Sequence, residues 1–103
     1  PIDLIKFFKK KIINIHPSLL PKYGGQGMYG DNVHNQVLLN QEKETGITIH
    51  YVNEKYDRGE IIFQKKTSLQ NDETLNTIKA KIKNLEMKYF PIIIYQLLYV
   101  RKH

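Results

Sequence analysis

The stretch from His16 to Met28 carries Pro17, Pro21, Gly24, Gly25 and Gly27, so no helix or strand can run through it. It divides a short β-branched run, KIINI at residues 11–15, from the next periodic segment, GDNVHNQVLLN at residues 30–40. The run fits a buried strand. The segment fits a helix that turns Val33, Val37 and Leu38 inward. Beyond the loop QEKET, ITIHYV at residues 47–52 and EIIFQKKT at residues 60–67 read as two further strands joined by the turn NEKYDRG. A last helix follows, with Leu75, Ile78, Ile82, Leu85 and Tyr89 at helical spacing, Asp72 as its cap, and Pro91 kinking or restarting it. Residues 2–9 read as a short opening helix, with Asp3 near its start and Lys9 to Lys11 at its end.

The order helix, strand, helix, strand, strand, helix is an α/β pattern. With 103 residues the chain is one domain or part of one. Three strands leave a sheet edge unprotected, which further strands before Pro1 would cover.

Composition excludes several classes of function. There is no cysteine, hence no disulfide framework and no thiolate metal site. The four histidines, His16, His34, His50 and His103, show no zinc-ligand spacing, so no metal is expected. The longest apolar run, near the C-terminus, is too short to span a bilayer, so no membrane partner is expected. The net charge is +6, but all sixteen basic residues except Arg58 and Arg101 are lysines, scattered along the chain. Bidentate base and phosphate recognition favours arginine, so the charge reads as a solvated surface and not as a specific nucleic-acid site.

Ligands of open α/β sheets bind at the carboxyl ends of strands. Asn14 and His16 stand at that end of KIINI, two residues apart, so both project to one side. An amide can donate to a developing oxyanion, and an imidazole can trade a proton near neutral pH. Asp57, in the loop after ITIHYV, can reach His16 if the two strands are neighbours. That trio suits acyl or formyl transfer by general acid–base catalysis. An ordinary strand-end histidine and two turn residues remain the alternative.

The segments NIHPSLLPKYGG, GDNVHNQVL and GITIHYVNEKYDRGEIIFQ together resemble phosphoribosylglycinamide formyltransferase, over about Ile12 to Leu98. The resemblance implies a Rossmann-like fold of mainly parallel sheet with flanking helices. This chain, residues 1–103, would be its C-terminal catalytic and folate-binding part, without the N-terminal nucleotide-binding half and its phosphate-gripping loop. It implies Asn14, His16 and Asp57 as the catalytic residues, with His50 and Thr48 behind them. Val52, Asn53, Glu54, Lys55, Tyr56 and Asp57 would wrap the pterin ring, and Glu86 would meet the ribose of the substrate. The implied co-substrate is 10-formyltetrahydrofolate, the implied acceptor is phosphoribosylglycinamide, and the implied compartment is the cytoplasm. Oligomeric state stays open. Formyltetrahydrofolate deformylase and methionyl-tRNA formyltransferase share the Asn and His. A non-catalytic remnant or a basic binding module is the reading from a different class. Alone, the chain is expected to keep the trio but to bind phosphoribosylglycinamide poorly.

Overall fold

The structure is a computed structural model and describes residues 4–7, 11–52 and 59–102. The elements follow in the order β1 (Leu4–Phe7), β2 (Lys11–His16), α1 (Asp31–Leu39), β3 (Glu44–Tyr51), β4 (Ile61–Ser68) and α2 (Leu75–Lys102). The strands form one sheet in the order β1-β2-β3-β4, and every neighbouring pair is antiparallel.

Two expectations about the sheet are corrected. The sheet was expected to be mainly parallel, but none of the described pairs is. The reason lies in the connection: the loop and α1 return the chain beside β2 running the opposite way. The opening segment was expected to be helical, but Leu4–Phe7 is a strand in register with Asn14 to Lys11. A helix of eight residues is marginal by itself, whereas the outer edge of β2 offers unpaired backbone groups that a strand can satisfy.

Alternation along the strands divides the sheet into two faces. Ile13 and Ile15 of β2 sit opposite Tyr51 and Ile49 of β3. With Ile47 they meet Val37 of α1 and Ile78, Ile82 and Ile93 of α2 in the buried core. Burying one such side chain fully is worth about 1.5–3 kcal/mol, so this face anchors both helices. The opposite face carries the polar residues of the same strands and is covered by the loop that follows β2. β3 is therefore buried along nearly its whole length on both sides.

The helix ends are set by local chemistry. Thr74, and not Asp72, caps α2: its hydroxyl accepts from the Thr77 backbone N–H at 3.2 Å, and the Thr77 hydroxyl accepts from the Thr74 N–H at 2.8 Å. α2 continues through Pro91 without interruption. At the end of α1 the backbone N–H groups of Asn40, Gln41 and Glu42 return to the carbonyls of Gln36, Leu38 and Val37, with Gln41 in the left-handed region at φ 51°. That turn leaves Asn40 and Glu42 on either side of Gln41, facing the loop after β2.

Candidate formyl-transfer site

The antiparallel register of β2 and β3 places Asn14 opposite His50 and His16 opposite Thr48. Directly opposed residues share a face of a sheet, so these four side chains form one polar group on the face away from the helices. Gln64 of β4, opposite Thr48, extends the row. The expectation that Asn14 and His16 share a side is met, and the structure brings His50 and Thr48 to them.

His50 is 2% exposed, and its Nδ1 lies 2.9 Å from the Tyr51 carbonyl oxygen. A carbonyl only accepts, so Nδ1 carries a proton, and in the neutral ring Nε2 is left as an acceptor. The Asn14 side-chain nitrogen lies 3.1 Å from that Nε2. The amide must therefore donate to His50, which fixes which way its oxygen points. Among the described residues, Asn14 Oδ1 is a buried acceptor with no partner. A buried polar atom left unpaired costs about 1–3 kcal/mol, so this oxygen is suited to an incoming N–H donor. The second amide N–H of Asn14 is suited to an incoming oxygen.

Thr48 is fully buried, and its hydroxyl uses its whole hydrogen-bonding capacity. It donates to the Ser18 carbonyl at 2.7 Å and accepts from the Leu20 N–H at 3.0 Å and from Gln64 Nε2 at 2.9 Å. Gln64 Nε2 also donates to the Leu20 carbonyl at 2.9 Å. The loop after β2 is thus bolted to the polar face. Its Leu20–Pro21 peptide is cis.

His16 ends β2 and is half-buried, with Nε2 donating to the Tyr23 carbonyl at 2.7 Å. The Tyr23 hydroxyl donates to Glu42 Oε2 at 2.6 Å and accepts from the Asn40 side chain at 2.9 Å. Burial first, then the bond to Glu42, raise the Tyr23 phenol above its ordinary value. The same bond holds the Glu42 carboxyl below the usual carboxylate range. The proton therefore stays on the phenol.

Asp57, expected as a catalytic residue, and Asn53, Glu54, Lys55 and Tyr56, expected to wrap the pterin, lie outside the described residues. Both flanks of that segment are held next to the polar group. Val52 N–H donates to the Ile12 carbonyl at 2.8 Å, and Gly59 N–H donates to the Tyr51 carbonyl that also receives His50 Nδ1. Glu86 stands half-buried on α2, in the helix layer behind the sheet. Among the described residues no group of three or more His, Cys, Asp or Glu could hold a metal ion, and no helix is long and apolar enough to cross a membrane.

Sequence reasoning missed Gln64, Tyr23, Asn40 and Glu42. Gln64 carried a signal: it interrupts the apolar start of EIIFQ at a position of fixed facing. Tyr23 carried another, as an aromatic residue stranded among prolines and glycines that needs a partner. Neither signal names the partner.

An antiparallel sheet with helices on one face and an Asn–His pair at a strand end on the other defines an α/β protein with its polar site on the sheet itself. Residues 1–94 match the model of the formyl transferase family, and the chain belongs to that family. It is 44% identical over 95 residues to the phosphoribosylglycinamide formyltransferase of Bacillus subtilis, covering 92% of this chain and 46% of that protein. To the chloroplastic enzyme of the same name from Arabidopsis thaliana it is 40% identical over 90 residues, covering 87% of this chain and 31% of that protein. The crystal structure of phosphoribosylglycinamide formyltransferase from Bacillus halodurans superposes with a TM-score of 0.72 at 40% identity, over 84% of this chain and 42% of that one. The expected formyltransferase fold is therefore present, and the chain spans less than half the length of these relatives.

Proposed function

We propose that this chain is the part of a phosphoribosylglycinamide formyltransferase that holds the formyl group during its transfer from 10-formyltetrahydrofolate to the amine of phosphoribosylglycinamide. The supporting observation is the orientation of Asn14, with one amide hydrogen on His50, a second hydrogen available, and a buried oxygen without a partner among the described residues. The names of the relatives supply the acceptor, and the resemblance of the sequence motifs supplies the folate donor.

On this reading Asn14 donates its second N–H to the formyl oxygen as the amine adds to the formyl carbon. Asn14 Oδ1 accepts from the attacking amine. His16, one side-chain position along the same face, takes the proton that the amine loses and delivers it toward the departing folate nitrogen, with Asp57 as its partner. Val52 and residues 53–57 cover the pterin, and Glu86 serves the ribose of the acceptor. The reaction belongs to purine synthesis, and the cytoplasm is its compartment.

The test is a formyl-transfer assay in the complete enzyme of which this chain forms part. Asn14→Ala is expected to lower kcat about 10²–10³-fold and His16→Ala about 10²–10⁴-fold, with folding retained. Full activity in either variant would overturn the assignment.

A further inference from the structure

We propose that Tyr23 is the positioning residue for His16: its main-chain carbonyl holds the Nε2 proton of the imidazole, and its phenol, clamped by Glu42 and Asn40, fixes that carbonyl in place. The inference rests on the reading of His16 as the proton-transfer group.

A histidine at the last position of a strand has no following strand residue to hold its ring. Here the Tyr23 carbonyl, 2.7 Å from Nε2, supplies the hold. Because a carbonyl accepts only, the contact keeps a proton on Nε2 and leaves Nδ1 as the nitrogen that gains and loses the exchangeable proton. The direction of this carbonyl is not secured by the local backbone. Tyr23 lies in the left-handed region at φ 56°, which a non-glycine residue keeps only when its surroundings impose it.

The surroundings are specific. The phenol donates to Glu42 at 2.6 Å and accepts from Asn40 at 2.9 Å, and both come from the turn that ends α1. The ring packs against the apolar core. The raised phenol and the depressed carboxyl agree with a proton held firmly between them on the tyrosine side. The preceding part of the loop has its own fastenings, Thr48 to Ser18 and Leu20, and Ser18 Oγ to the Lys22 carbonyl at 2.8 Å. Loss of the phenol clamp would therefore release the Tyr23 carbonyl without detaching the loop. The end of α1 in this way reaches the imidazole through one side chain and one peptide group.

The experiment is ¹H–¹⁵N NMR of the full chain labelled at histidine nitrogens. In the wild type, His16 should show a protonated Nε2, with Nδ1 as the basic nitrogen and a slowly exchanging Nε2–H. Tyr23→Phe keeps the packed ring and removes the hydroxyl; it is expected to speed Nε2–H exchange about tenfold or more while the other histidine signals persist. Glu42→Ala removes the clamp from outside the core and should do the same. Glu42→Gln keeps an acceptor and should restore most of the protection. Unchanged exchange in both Tyr23→Phe and Glu42→Ala, or a wild-type His16 protonated on Nδ1 and bare on Nε2, would overturn the proposal. The outcome is read without turnover, so it stands apart from the catalytic assignment, which fails separately if His16→Ala transfers formyl groups at the wild-type rate.

Discussion

Thr48→Val isolates the fastening of the loop to the sheet. The substitution preserves shape and removes one hydroxyl, whose three partners are the Ser18 carbonyl, the Leu20 N–H and Gln64. Gln64 retains its bond to the Leu20 carbonyl. The Ser18 carbonyl and the Leu20 N–H lose the Thr48 hydroxyl from a site where Thr48 and Ser18 are both 0% exposed. Two buried backbone groups at about 1–3 kcal/mol each give a loss of about 2–6 kcal/mol. The added methyl returns less than about 1 kcal/mol. A domain of this size has about 5–15 kcal/mol to lose. In urea, with a slope of about 1–3 kcal/mol per molar, the midpoint should fall by about 1–2 M. Thr48→Ser keeps the hydroxyl and gives up one methyl, so it should cost only about 1 kcal/mol. If Thr48→Val unfolds at the wild-type midpoint, or Thr48→Ser is the worse of the two, the hydroxyl does not hold the loop.

Three further outcomes follow from the same geometry. A methyl group at Gly46 would overlap the Lys65 carbonyl and lie 2.7 Å from Leu19 Cδ2 and 2.9 Å from Lys66 Cα, so Gly46→Ala must part β3 from β4; a loss of about 2–3 kcal/mol or more is expected in urea unfolding, and a neutral result would contradict the close approach. His34 is buried and its proton affinity is lowered, chiefly by burial and further by the Lys79 and His16 charges against the opposing pull of Asp31. Its contribution is therefore complete above its ordinary value of 6.5 and declines as pH falls through the lower folded-state value. The stability gap between wild type and His34→Gln should narrow between pH 7.5 and pH 5; a constant gap would refute this. Glu73, whose carboxyl accepts from the Gln70 N–H, Lys81 and Thr77, is pushed down from 4.5 to about 2. Its stabilisation is complete above pH 4.5 and lost toward pH 2, so Glu73→Gln should lower the urea midpoint at pH 7 and progressively less on acidification.

The residues that alternation alone could place were placed well. Asn14 and His16 share a face because their spacing matches the strand period, and Ile78, Ile82, Leu85 and Tyr89 meet the core because theirs matches the helix. Strand patterning alone did not reach the cross-strand partners, and His50 and Thr48 entered only through the family resemblance, since His50 lands on Asn14 through a register that neither strand encodes by itself. The Tyr23–Glu42 bond spans nineteen residues and depends on a left-handed turn at Gln41, a residue type with no strong turn signal. Leu4 to Phe7 were misread because eight residues with Leu4, Ile5 and Phe8 satisfy a helical stripe as well as a strand. The choice was settled by the neighbouring edge of β2. Direction failed for a related reason, because a helix between two strands is the usual mark of a parallel crossover.

The two faces of β2 have a joint consequence. Ile13 and Ile15 build the hydrophobic interior, while Asn14 and His16, interleaved with them, build the polar face to which the proposed chemistry is assigned. One extra or missing residue within KIINIH would exchange the two sets wholesale. Insertions and deletions there cannot yield a folded but inactive protein or an active but loosened one. Point substitutions can separate the two roles, whereas a frame change within this strand abolishes both at once.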